Sequence, residues 1–280
     1  MKRLSIYIFI ALISFTTACK KSNDSPLQPT EDKYLIKTLD GNNERIEIYT
    51  KNQKIKVGYT QFWIKIISKA DQKLLFPENM NWQPVMHMPS MEHSTPHSPL
   101  TKSLDPDFSY EGFVVFSMAS GAESFWELTF QYKNGEKSTN VSTRLAVGNL
   151  PEHTKNVQSF TVGEDSYTVA MVQPETPQMG KNQISSVLLK SSDHESYEEV
   201  NGYSIEIDPR MPSMDNHSSP NNKKMTQEVN SGKYKGSLNL SMSGLWRINL
   251  VLKDADGNII KGEPVTPENK KSSLYFEFEF

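Results

Sequence analysis

Cysteine is almost absent from this chain: there is one, Cys19, in 280 residues. An internal disulfide is therefore impossible, and the fold has to hold by its apolar core alone. With 12 methionines against that one cysteine, the composition is the opposite of a thiolate metal protein. Charge of one sign is lacking too. The formal net charge is −3, the pI is near 6.1, and no Lys/Arg run is longer than a pair. Neither nucleic acid nor a polybasic membrane patch is expected from this. Catalytic signatures are missing as well: no GxSxG, HExxH, P-loop or GxGxxG occurs, and no paired carboxylates stand beside a histidine in a plausible site context. The run Asp254-Ala255-Asp256-Gly257-Asn258 opens like a calcium loop but lacks its closing Glu, so it reads as a hairpin turn. A non-enzymatic protein is expected.

Long hydrophobic runs are absent as well. The longest, Leu4 to Phe15, is too short to span a bilayer. It follows Lys2-Arg3 and precedes the small residues Thr16-Thr17-Ala18 and then Cys19, the layout of an export signal. The stretch resembles a bacterial lipoprotein signal, with Thr16 where such signals usually carry Leu. An ordinary secretion signal that happens to hold a Cys is the alternative. On the first reading residues 1–18 are the signal peptide, and residues 19–33 are a lipidated Cys19 and a polar, flexible tether. The protein would sit at the cell envelope, held to a membrane by lipid. Lys20, in place of the Asp associated with inner-membrane retention, leans toward the outer membrane.

What the chain does have is strand periodicity. Arg45 to Thr50 alternates; Phe62, Ile64 and Ile66 share one face, as do Trp126, Leu128, Phe130 and Tyr132. Further runs at Ser166–Val172, Ile184–Leu189, Tyr203–Ile207, Ser237–Met242, Trp246–Leu252 and Leu274–Phe280, separated by turn signals, predict an all-β chain of sandwiches. The landmarks also repeat in order. Gly58 with Phe62–Ile67 matches Gly180 with Ile184–Leu189. Met88-Pro89-Ser90-Met91 matches Met211-Pro212-Ser213-Met214, Tyr110-Glu111-Gly112 matches Tyr234-Lys235-Gly236, and Met118 and Trp126 match Met242 and Trp246. A duplication accounts for this, with sandwiches over residues 34–147 and 159–280 and a linker over 148–158.

The repeated methionine stretches carry the candidate chemistry. Thioethers and imidazoles beside prolines suit a loop that binds a soft ion, since Pro89 and Pro212 bias Met88 and Met211 away from helix. The first stretch offers Met86, His87, Met88, Met91, His93 and His97, and the second Met211, Met214 and His217, with Met225 as a distant reserve. Copper as Cu(I) is the expected ligand, bound more tightly by the richer first loop. His153 and His194 read as solvated. Alternation with Val114 and Phe116, and with Leu238 and Leu240, assigns Met118 and Met242 to the core. Trp126 and Trp246 open apolar strands and read as core too, whereas Trp82 could shield a copper site or simply pack. Met is also a common core filler, so Met-Pro-Ser-Met could instead cap a sandwich by packing inward.

The order of strand, Met-Pro-x-Met with a nearby His, Tyr-x-Gly, strand ending in Met, then Gly and Trp resembles the YtkA-like and FixH-like domains, over both halves. That resemblance implies two tandem immunoglobulin-like (cupredoxin-like) β-sandwiches, exported or membrane-tethered. It also implies a role in copper handling or oxidase assembly, with a partner protein from that machinery. The competing expectation is a metal-free interaction module that binds a partner protein or surface at the envelope.

Overall fold

The computed structural model describes residues 33–193, 195–227 and 232–280. The expected signal peptide, Cys19, the expected tether before Lys33, and His194 lie outside the described residues. Within them the chain is all-β, as the alternation predicts, and its single 3-10 turn is the only helical element. The first copy runs β1 (Tyr34–Asp40), β2 (Glu44–Thr50), β3 (Ile55–Lys56), β4 (Gly58–Ser68), β5 (Glu78–Met88), β6 (Met91–Ser94), β7 (Thr101–Lys102), β8 (Tyr110–Phe116), β9 (Phe125–Asn134), β10 (Lys137–Leu145) and β11 (Val147–Gly148). One sheet is ordered β1-β2-β4-β8-β7 and the other β10-β9-β5-β6, while the short β3 and β11 pair in parallel.

Period-2 patterning fills the space between these sheets. Ile46 and Ile48 from β2, and Phe62, Ile64 and Ile66 from β4, point inward against Trp126, Leu128, Phe130 and Tyr132 of β9 and Trp82 and Met86 of β5. Burying each such side chain contributes about 1.5–3 kcal/mol. Trp82 belongs to this core. It is 1% exposed and donates its indole N–H to the Ser98 carbonyl at 2.7 Å.

The second copy runs β12 (Val157–Val162), β13 (Asp165–Gln173), β14 (Gly180–Ser191), β15 (Glu198–Glu199), β16 (Ser204–Met211), the 3-10 turn (Pro212–Met214), β17 (His217–Ser218), β18 (Lys223–Gln227), β19 (Lys233–Leu240), β20 (Leu245–Lys253), β21 (Ile259–Lys261) and β22 (Leu274–Glu279). Its pairing gives β12-β13-β14-β19-β18 and β22-β20-β16-β17, the same two orders strand for strand. Here β18 also pairs with β16, so the two sheets join along one edge. The repeated sequence landmarks thus fall on the same elements of a repeated topology.

The repeated Tyr-x-Gly has a steric reason. A Cβ on Gly112 would lie 2.9 Å from the buried Trp82 ring, and one on Gly236 would lie 2.6 Å from the Lys223 carbonyl oxygen of β18. In both copies a neighbour crosses where a side chain would stand.

The copies meet along an apolar seam. Phe113 and Val115, on the outer face of β8, pack with Ala170 of β13 and with Val187 and Leu189 of β14, flanked by Tyr59, Val172 and Tyr197. The connecting residues are hydrogen-bonded on both sides. Val57 donates to the Gly148 carbonyl at 3.1 Å, Asn156 Nδ2 to the Val57 carbonyl at 3.2 Å, and Lys155 and Glu277 exchange main-chain bonds of 2.7 and 2.8 Å. One compact unit spans Lys33–Phe280.

Gly236→Ala should destabilise the protein by about 1–3 kcal/mol, the usual cost of forcing a methyl into filled space. Urea unfolding followed by tryptophan fluorescence measures this. A loss below about 0.5 kcal/mol would mean that β18 moves aside freely.

Candidate functional site

The first methionine stretch is a hairpin and not a loop. Met86, His87 and Met88 end β5, Pro89 and Ser90 make a two-residue turn, and Met91 to Ser94 form β6. Pro89 falls in the turn, where its missing N–H costs nothing, and so the strands on either side survive it.

Register then decides which side chains meet. Met88 pairs with Met91, Met86 with His93 and His87 with Glu92, while on its other side Met86 faces Trp126 and His87 faces Phe125. Directly opposed residues on antiparallel strands project to one face, with Cβ atoms about 4.5–5.5 Å apart. Met86, Met88, Met91, His93 and Trp126 therefore share the inner face at the end of the sandwich. This face grades outward from the core: Met86 is fully buried, Met88 and His93 are half-buried, and Met91 is 57% exposed. The His93 ring meets Trp126 edge-on at 5.7 Å. Its Nδ1–H donates to the Ser94 carbonyl at 2.8 Å, which leaves the Nε2 lone pair for a ligand.

Two residues expected at this site lie elsewhere. His87 is on the opposite face, stacked on Phe125 at 4.9 Å; the Arg144 guanidinium covers Phe125, 3.6 Å from its ring centre. His87 Nδ1 donates to Glu92 at 2.7 Å, and its buried Nε2 stops 3.6 Å from Glu127, too far for a hydrogen bond. His97 crosses to the other sheet, where it bridges to Val114 and packs edge-on between Trp82 at 6.4 Å and Tyr197 of the second copy at 5.7 Å. It is part of the seam. Burial there pushes the His97 imidazole below its ordinary range, partly offset by its bond to the Thr95 carbonyl, and the same burial pushes the Tyr197 phenol up to about 12.

In the second copy Met211 ends β16 and pairs with His217, and five residues separate them where the first hairpin has two. The 3-10 turn carries Met214, 48% exposed, and Asp215 and Asn216 close the connection with positive φ. Met211 is 3% exposed and His217 is exposed. Arg210 pairs with Arg247, so one step further along the register Met211 stands beside Trp246. Met211 thus occupies the place of Met86, not that of Met88, with which the shared Met-Pro-Ser-Met would align it. Met225 is core: it is fully buried on β18, and the Ser186 hydroxyl lies 3.7 Å from its sulfur.

Met118 and Met242 correct another expectation. β8 stops at Phe116 and β19 at Leu240, so strand alternation does not reach either residue. Met118 is 38% exposed, and Met242 is half-buried against the second core. Trp126 and Trp246 are fully buried, as expected of core residues. Each donates its indole N–H to a methionine carbonyl, Trp126 to Met118 at 3.0 Å and Trp246 to Met242 at 2.9 Å. The N–H acceptor is the one thing sequence reading missed here, though the repeated Met-to-Trp order hinted at it.

Among the described residues no group of three or more His, Cys, Asp or Glu side chains is placed to hold a metal ion, so the candidate donors are chiefly thioethers. A cleft of about 600 Å³ at the seam, crossed by the Lys51–Glu175 ion pair of 3.2 Å, is lined by none of the candidate donors. His153 is exposed beside Glu152, as expected of a solvated residue.

Comparison with known proteins bears on the second copy. A family model described as YtkA-like matches residues 161–251, a span holding Met211, Met214, His217, Met242 and Trp246. No curated protein matches the chain.

The depressed His97 fixes the sign of one pH effect. The unfolded chain, with a His near pKa 6.5, takes up this proton first as pH falls, so acidification favours unfolding. Stability should drop from pH 7 toward pH 5 by at most about 1.4 kcal/mol per pH unit from this group. His97→Gln should flatten that slope in urea titrations, and an unchanged slope would show that His97 titrates freely.

Proposed function

We propose that this is a non-enzymatic, cell-envelope lipoprotein, anchored through Cys19, that binds copper as Cu(I) for storage, buffering or delivery. One observation carries the reading. Met86, Met88, Met91 and His93 share a single face, stepping from the core to solvent beside Trp126. Thioether and imidazole donors suit a soft monovalent ion, and a thioether needs no deprotonation to bind. In an oxidising compartment it also cannot be lost to disulfides. The lone pair of His93 Nε2 is left available by the bond that holds Nδ1.

The residues divide the work by depth. Buried Met86 and the Trp126 wall exclude water from the inner side, and Met91, the most exposed donor, is the point of entry and exit. His87 and His97 stand apart from that face and take no part. The second hairpin offers the smaller set Met211 and His217, with Met214 at its rim. The match to YtkA-like domains supports the reading as far as family resemblance goes. A membrane lipid anchor and a copper-handling or oxidase-assembly partner belong to the same proposal.

Titration of Cu(I) against a colorimetric chelator tests it, and about one ion per sandwich is expected. Met88→Ala with Met91→Ala should weaken the first site by about tenfold or more, whereas His87→Ala should leave it unchanged. A wild-type protein that takes no copper from the chelator overturns the proposal.

A further inference from the structure

We infer that each of these sites includes a further thioether, Met118 in the first copy and Met242 in the second, positioned by the tryptophan beside it. The inference rests on the copper reading above and extends its donor set. It begins from what repeats in space. In the first copy a buried Met86 pairs with His93 and faces Trp126; in the second a buried Met211 pairs with His217 and stands beside Trp246. To this trio each copy adds one more shared contact, the indole N–H bound to the carbonyl of Met118 or Met242.

That bond recurs across two loops of different length. Met118 precedes Trp126 by eight positions, and Met242 precedes Trp246 by four. The first loop is twice as long and differently composed, yet the tryptophan reaches the carbonyl of a methionine in both. The bond uses the main chain and would accept any residue, so it does not itself ask for a thioether. Core packing does not ask for one at Met118, which is 38% exposed, and Met242 packs only in part against the second core. A soft side chain kept at the same point in both copies, outside the strand and outside the full core, fits a ligand better than a filler.

The second copy shows how closely the loop approaches the hairpin. Gly244 has φ of 125°, and a Cβ there would lie 2.9 Å from the methyl carbon of Met211. Gly244, two residues after Met242, thus lies against the Met211 methyl, and Met242 packs against the cluster that contains Met211 and Trp246. Met211, Met242 and His217 then make two thioethers and one imidazole, a complete three-donor set for Cu(I). The equivalent set in the first copy is Met86, Met118 and His93, joined there by Met88 and Met91.

The test uses the full chain labelled with 13C at the methionine methyls and titrated with Ag(I), a redox-inert soft ion. The methyl signals of Met86, Met118, Met211 and Met242 should move together as silver is added, while those of core Met225 and of exposed Met179 stay in place. Met242→Leu, which keeps the volume, should lower the silver affinity of the second site about tenfold with an unchanged circular dichroism spectrum. If the hairpin methyls move and those of Met118 and Met242 do not, the inference fails and the copper reading stands. If no methyl moves and no silver is retained, both fail.

Discussion

Trp126 lies across the strand from Met86, and its indole N–H holds the main chain at Met118; the soft end of the first sandwich depends on that placement. A buried indole needs a partner for its N–H, and leaving it without one costs about 1–3 kcal/mol. The ring therefore fixes two things at once. Its face closes the core below Met86, and its N–H pins the loop leaving β8 over the open end. Trp246 does the same between Met211 and Met242. Glycine marks three close approaches around these ends: Gly244 lies against the Met211 methyl, Gly112 against the Trp82 ring and Gly236 against the main chain of β18.

Much of this was legible in the sequence. Alternation located the strands, the tryptophans declared themselves as core, and the recurring landmarks fell on recurring elements. The donors were visible as residue types. Their grouping was not, because it depends on register. His87 sits between two methionines in sequence, but the period of two sends it to the opposite face, where Phe125 and Glu92 hold it. Met88 and Met211 align through the shared motif, yet the connection in the second hairpin is longer, and the strand pairing moves Met211 into the place of Met86. Pairing of that kind is settled by partners more than thirty residues away, which no local pattern records.

His97 is the clearest case of a residue decided by tertiary contact. Nothing near it in sequence distinguishes it from His93, and both fix Nδ1 on a backbone carbonyl. It is Tyr197, from the other copy, that encloses His97 and makes it part of the joint between sandwiches. Met118 departed in the other direction, and Met242, which still packs against the second core, did so only in part. Their alternation was sound as far as the strands run, but each strand ends two residues earlier.

The seam has a consequence for traffic. Tyr197 follows the Ser191 end of β14 and touches His97, four residues from His93; the Gly180 end of the same strand pairs with Leu240, two residues before Met242. Twelve residues of strand, on the order of 35 Å, thus stand between the two ends. On the proposed copper reading an ion held at one end is too far from the other to pass directly between them, and the apolar seam packs the two copies together along its length. On that reading the two ends are berths on one pier, each loading and emptying by itself, and a visitor has only to recognise the end at which it calls.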